Sequence, residues 1–325
     1  MKEGTAEMKR TIVILGCFGV VLTLLLAVFC YEPGKNYEGD IKRILCIINP
    51  GNCYWDDVKR GAEMAEEELG GSIKYCIFTR LDLNEQLRML QETDYTQVDG
   101  VITQGEPYAP ELNEKIASIV RRGIPVVLVD TDSKESNRSC YIGSNNYMAG
   151  QLAAQEIVKQ MGEAVNIVIL VSELENANQK ERINGFKDVI RQYPEMRILE
   201  IYEGNKLSTQ EKFREILEMH KDLDAIFCAE ASSSYQIGIE LEKEKPQRDI
   251  CVIGFDRWAL KFVEEGVFAA TIVQDSFGMG YQAVAYLTEY GEEMSDKSEI
   301  FTEVRCVTKE EMQKSEMETD KTQGE

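Results

Sequence analysis

The sequence predicts an α/β protein built as two doubly wound parallel-sheet lobes after one N-terminal transmembrane helix. Short runs rich in Val and Ile, apolar on both faces, alternate with amphipathic stretches of helical period, as buried parallel strands and their crossover helices do. The chain has 325 residues, too many for one ordinary core and comfortable for two. Roughly five strand–helix units precede Ser144 and a similar number follow, which suits two sheets better than one.

The N-terminal element comes first. Lys2, Lys9 and Arg10 precede an apolar run from Thr11 to Cys30, 20 residues long. At about 1.5 Å per residue such a run spans the roughly 30 Å of a bilayer core. The basic flank places residues 1–10 in the cytosol and 11–31 in the membrane, as an anchor or uncleaved signal. The bulk of the chain is then extracytoplasmic. A cleaved signal peptide is the alternative, but the run is longer than a usual apolar signal core and no small-x-small site follows it cleanly. A lipid-modified cysteine fits poorly, because Cys30 follows Phe29 and Cys17 lies too early in the run. Residues 32–40 form a polar linker.

Strands are expected at Ile44–Ile48, Ile73–Phe78, Gly100–Thr103, Val126–Asp130, Ile167–Val171, Ile198–Tyr202, Ala225–Cys228 and Cys251–Phe255. Helices are expected between them at Trp55–Leu69, Leu83–Gln91, Asn113–Arg122, Met148–Met161, Gln179–Tyr193, Glu211–His220 and Ser234–Lys243. The tail, residues 313–325, is polar and charged and is expected to be disordered.

Composition narrows the function. A formal net charge of −21 repels phosphate, so no nucleic acid partner is expected. Nine cysteines include Cys17 and Cys30 in the apolar run; the remaining seven are odd in number and mostly sit in strand-like runs. They read as small buried hydrophobes rather than a disulfide framework. No C-x-x-C pair occurs and His220 is the single histidine, so no metal site and no cofactor are expected. The enzyme signatures G-x-S-x-G, P-loop and G-x-G-x-x-G are missing. Paired acids such as Asp130 and Asp256 can in principle cut a glycoside, which keeps a glycoside-acting enzyme as a remote alternative.

Open α/β sheets bind ligands beyond the carboxyl ends of their strands. At those ends stand Asn52, Tyr54 and Trp55 after the first strand, then Asp130, Glu230, Asp256 with Trp258 close behind, and Gln274 after Ala270–Val273. Carboxylates accept from vicinal hydroxyls, amides both accept and donate, and aromatic faces cover the C–H faces of a sugar ring. Each residue also has a plainer reading. Tyr54 and Trp55 can pack their own helix, Asp130 can form a turn, Asp256 can cap a helix and Arg182 can lie on a solvated face.

The segments "NCYWDDVKRGAEMAEEELG", "VDGVITQG", "GIPVVLVDTD", "YIGSNNYMAGQLAAQEI", "KERINGFKDVI", "LDAIFCAE", "VIGFD", "FAATIVQD" and "VTKE" run in order from about Ile44 to Glu310. Together they resemble the ribose-binding-protein-like family of type I periplasmic binding proteins. The resemblance implies two lobes closing on a small polar ligand, with a sugar expected and no catalysis. It implies stacking by Tyr54 and Trp55, and polar contacts from Asn52, Asp130, Arg182, Asp256 and Gln274. Ungapped, Glu230 stands where the family often has asparagine, though a small shift puts Ser232 there instead, and a stacking aromatic expected near Asn205 to Leu207 is missing.

The family likeness also implies a discontinuous first lobe, 41–144 plus 275–305, and a second of 145–274 plus 306–312. Crossovers are then expected near Gly143–Asn145, Gln274–Ser276 and Arg305–Val307. Two partners suit such a chain: the permease of an ABC importer, or a membrane histidine kinase to which a tethered sensor presents its closed form. Membrane contact is expected through the N-terminal helix in either case.

Overall fold

The computed structural model describes residues 42–48, 53–77, 82–204, 209–244, 249–289 and 298–314. The apolar run 11–30, the linker 32–40, Asn52, the positions 205–207 and the tail from 315 lie outside the described residues. Among the described residues no helix is long and apolar enough to cross a membrane. Residues 309–314 are helical, so the start of the expected disordered tail at 313 overlaps a helical turn.

Two six-stranded sheets form. The first contains β1 (Arg43–Ile48), β2 (Ser72–Ile77), β3 (Gly100–Thr103), β4 (Val126–Val129), β5 (Cys140–Ser144) and β11 (Glu299–Thr302). Its order is β11-β5-β4-β3-β1-β2, all parallel. The second contains β6 (Asn166–Val171), β7 (Arg197–Glu203), β8 (Ala225–Cys228), β9 (Cys251–Phe255), β10 (Ala270–Gln274) and β12 (Val304–Thr308). Its order is β12-β10-β9-β8-β6-β7, parallel except that β12 runs against β10.

The helices of the first lobe are α1 (Cys53–Leu69), α2 (Leu83–Glu92), α3 (Pro110–Val120) and α9 (Ser276–Thr288). Those of the second are α4 (Asn146–Met161), α5 (Ala177–Ile190), α6 (Thr209–Met219), α7 (Ala231–Glu244) and the short α8 (Leu260–Glu264). Strand side chains alternate faces, so each sheet feeds two cores. Ile44, Cys46 and Ile48 pack under α1 and α9, while Leu45 and Ile47 pack with Leu90, Leu112 and Ile116 of α2 and α3. In the second lobe Ile167, Ile169 and Phe227 face α4 and α5, and Val168, Leu170 and Ile226 face α6 and α7. Cys46, Cys76, Cys140, Cys228 and Cys251 are buried and free, filling core volume.

The lobes repeat one plan. In each, two helices cross so closely that only glycine fits between them. A β-carbon on Gly61 would lie 1.9 Å from the Phe277 carbonyl oxygen, and one on Gly280 would lie 1.8 Å from that of Val58, locking α1 to α9. Gly150 and Gly185 do the same for α4 and α5, with contacts of 1.9 Å to the carbonyl oxygens of Arg182 and Tyr147. The chain passes from one sheet to the other at Asn145, Asp275 and Glu303. Asn145 and Asp275 each cap the helix they enter, accepting from the Met148 N–H at 2.9 Å and the Gly278 N–H at 2.7 Å. The third crossing lies just before the expected 305–307, because β12 already pairs from Val304.

Candidate ligand-binding cleft

Where β4 ends, Asp130 turns the backbone with φ +70°, a left-handed conformation uncommon outside glycine. The turn is held by its N–H donating to the Ile142 carbonyl at 3.1 Å and by the Tyr141 hydroxyl donating to its carbonyl at 2.9 Å. Its carboxylate is then fixed from three sides. Oδ1 accepts from the Tyr54 hydroxyl at 2.7 Å, and Oδ2 accepts from Thr131 at 2.9 Å and from Gln104 Nε2 at 3.1 Å. Burial, then the Asp130 charge, push the Tyr54 phenol well above its ordinary pKa, so it remains a donor.

Asp256 repeats the geometry at the end of β9, with φ +71°. Its N–H donates to the Ile272 carbonyl at 2.7 Å and its carbonyl accepts from the Thr271 hydroxyl at 3.0 Å. Oδ1 accepts from the Arg257 N–H at 2.7 Å and Oδ2 from Gln274 Nε2 at 3.0 Å. Gln274 in turn accepts from the Ser144 hydroxyl at 2.8 Å, which ties the second clamp acid to the first crossing. Burial pushes the Asp256 carboxyl above its ordinary pKa, and the bonds from Arg257 and Gln274 offset this in part.

Near the two acids lies Arg182, only 5% exposed. It sits on α5 at the close crossing with α4. Nε donates to Asn146 Oδ1 at 2.8 Å and Nη1 to the Ala229 carbonyl at 2.8 Å, while the guanidinium lies 3.7 Å from the centroid of the Phe255 ring. Nη2 donates to no described residue. Burial lowers the Arg182 pKa, and the nearby charges of Asp130 and Asp256 oppose that shift. Charges from opposite lobes therefore act on one buried cation, although neither carboxylate forms an ion pair with it.

The lobes are closed. Asn178 Nδ2 of the second lobe donates to the Asp130 carbonyl at 3.2 Å and to Thr131 Oγ1 at 3.3 Å. Lys180 donates to the Tyr108 hydroxyl at 3.4 Å, and Arg257 pairs with Asp57 of α1.

Tyr54, Asp130, Arg182, Asp256 and Gln274 thus come together. Trp55 is 5% exposed, sits edge-on to Tyr54 at 5.3 Å and belongs to the core beneath α1. Glu230 spends its carboxylate on the first turn of α7, accepting from the N–H groups of Ser232 at 2.6 Å and Ser233 at 2.5 Å. That caps the helix, and the Glu230 charge also acts on Arg182. Asn52 lies outside the described residues. Gln104, Asn146 and Asn178 were not singled out by sequence reasoning. Gln104 directly follows β3, so the rule of strand ends could have found it. His220 pairs with the Tyr202 hydroxyl at 2.9 Å at the edge strand β7. Among the described residues no cluster of His, Cys, Asp and Glu is placed to hold a metal.

Acceptor oxygens on Asp130 and Asp256 and a donor on Arg182, enclosed between lobes, suit a ligand rich in hydroxyls. Comparison with known proteins agrees with this geometry. The model of the periplasmic binding protein domain matches residues 44–293. A D-apiose import binding protein from Actinobacillus succinogenes is 25% identical over 284 residues, covering 83% of this chain and 86% of that protein. The structure of GanP, a glucose-galactose binding protein from Geobacillus stearothermophilus, aligns with a TM-score of 0.75 at 30% identity, covering 84% of this chain and 99% of that one. A solute binding protein of an ABC transporter from Burkholderia graminis, in complex with D-arabinose, aligns with a TM-score of 0.76 at 26% identity, covering 84% and 98%. These proteins bind substrates rather than convert them. The chain belongs to the periplasmic binding protein family, among its ribose-binding-protein-like, type I members.

Proposed function

We propose that this protein is an extracytoplasmic receptor that closes its two lobes on a neutral sugar and delivers it to an ABC-type permease. The observation that carries the reading is the meeting of the two lobes at the strand-end acids, where Asp130 accepts at its carbonyl from Asn178 of the second lobe and Asp256 is tied through Gln274 to Ser144 of the first. In the open form these groups are solvated. A sugar that satisfies both carboxylates and the Arg182 guanidinium at once favours the closed form by its differential affinity for the two states. The similar import binding proteins of other organisms support import over sensing by a histidine kinase.

The N-terminal run 11–30 holds the receptor at the membrane in this reading. The polar linker of residues 32–40 reaches roughly 30 Å when extended, which keeps the lobes near a membrane partner. A thermal-shift screen over pentoses, hexoses and inositols tests the ligand class, and a saturable rise in melting temperature with one or a few sugars is expected. No shift with any of them would remove the sugar. High-salt extraction of membranes tests the anchor. Full-length protein with an intact N-terminus is expected in the pellet, and soluble protein starting near Tyr31 would refute it.

A further inference from the structure

The two clamp acids share a consequence of their left-handed backbone: each turns the next residue toward the opposite lobe. After Asp130, Thr131 accepts from Asn178 at the start of α5 at 3.3 Å. After Asp256, Arg257 reaches Asp57 near the start of α1. Matching Gly61 to Gly185 across the repeated plan aligns the starts of α1 and α5, with Asn178 in the first turn of α5 and Asp57 one residue past the first turn of α1. One of these cross-lobe contacts is neutral and the other is an ion pair.

We propose that the Asp57–Arg257 pair is an electrostatic latch that sets the open–closed balance of the receptor independently of direct contact with the ligand. The proposal rests on the reading that the lobes open and close, not on which sugar is bound. Asp57 has 7% of its side chain exposed and is held also by Arg60 at 3.1 Å, so its carboxylate is anchored in the first lobe. Arg257 is 47% exposed, so it can leave with the second lobe and regain water. The pair borders a cavity of about 380 Å³ at the hinge, lined also by Gln274, Asp275, Glu303 and Arg305. A charge pair on a polar, solvent-connected cavity is screened, so it contributes modestly and depends on salt. The backbone N–H of Arg257 also donates to Asp256 at 2.7 Å, which couples the latch to the clamp acid. Apparent affinity scales with the fraction in the competent closed state, so a latch of this size tunes affinity without touching the ligand.

The test measures the distance between nitroxides by electron-spin resonance on the full-length protein without sugar. The labels are attached through a ketone-bearing unnatural residue at Glu111 and Glu175, which flank the Tyr108–Lys180 contact across the cleft and avoid the cysteines. Arg257→Gln and Asp57→Asn are each expected to shift the open-to-closed ratio about two- to fivefold toward open, and Arg257→Lys is expected to shift it less. The double variant should behave like either single variant, because both remove the same pair. Raising NaCl to about 0.5 M should open the wild type and leave Arg257→Gln unmoved. Distance distributions in either single variant equal to the wild type, or single effects that simply add, would overturn the latch. Because the experiment contains no sugar, a failure of the sugar reading leaves its result intact, and the reverse also holds.

Discussion

Replacing Arg182 with methionine removes the donor at the centre of the cleft while keeping an unbranched side chain over Phe255. In the structure this deletes two bonds of 2.8 Å and leaves Asn146 Oδ1 and the Ala229 carbonyl without that donor. Each buried acceptor left unpaired costs about 1–3 kcal/mol. Removing a buried cation recovers part of its desolvation cost, but it also strips Asp130 and Asp256 of their nearby positive charge. A net loss of about 2–4 kcal/mol in folding stability follows. Sugar affinity should fall by at least about tenfold, since a donor to the ligand is lost as well. Arg182→Lys should fare little better on binding, because an ammonium cannot reproduce the planar fork. Urea denaturation of the full chain in mild detergent reads the stability, and calorimetry reads the affinity. A methionine variant within about 0.5 kcal/mol of the wild type would mean that Arg182 behaves like a solvated helix-face residue, and the account of the cleft would fail.

Asp256 gives a pH prediction. Its folded-state pKa is raised by burial above the ordinary 3.8, so the folded protein keeps this proton to higher pH than the unfolded chain. Stability from this group is therefore present below the ordinary value and is lost as pH rises through the raised one. Asp256→Asn should gain in melting temperature relative to the wild type between about pH 4 and pH 7, while binding sugar more weakly; a constant difference across that range would contradict the shift. Gly150→Ala should weaken both folding and binding, because the new methyl would stand 1.9 Å from the Arg182 carbonyl oxygen and push α5 off α4. Overpacking of this kind costs about 1–3 kcal/mol or more, readable by thermal melting. An alanine variant with wild-type stability would mean that the helices separate easily.

Most strands were legible because a strand covered on both faces has no exposed positions and is almost wholly apolar: β3, β4, β8 and β9 are buried throughout. Helix starts were less legible. α3 begins at Pro110, where the fixed proline φ suits a first turn, rather than at Asn113 where the apolar period begins. α9 gave no amphipathic signal because Met279, Ala283, Val284, Tyr286 and Leu287 bury it on more than one side, between α1 and the sheet. In the cleft, the placing of Asp130, Asp256 and Gln274 at strand ends was legible because a strand end is a local property of sequence. The bond of Gln104 to Asp130 and that of Asn178 across the lobes depend on packing between distant segments, which periodicity does not encode. Glu230 has two readings in the sequence because a capping acid and a clamp acid both follow strands, and only the fold shows that its carboxylate meets the N–H groups of Ser232 and Ser233.

If carboxylates from two lobes jointly hold a sugar, losing either one must weaken binding. Isothermal titration of the wild type, Asp130→Ala, Asp256→Ala and the double variant tests it most directly, using the sugar that gives the largest thermal shift. Each single change should weaken binding at least about tenfold while the far-ultraviolet circular dichroism spectrum stays that of the wild type. The double variant should lose less than the sum of the two free energies, because a ligand that already fails to bridge the lobes has less left to lose. Wild-type affinity in both single variants would contradict the account, and binding would then have to be sought outside the cleft.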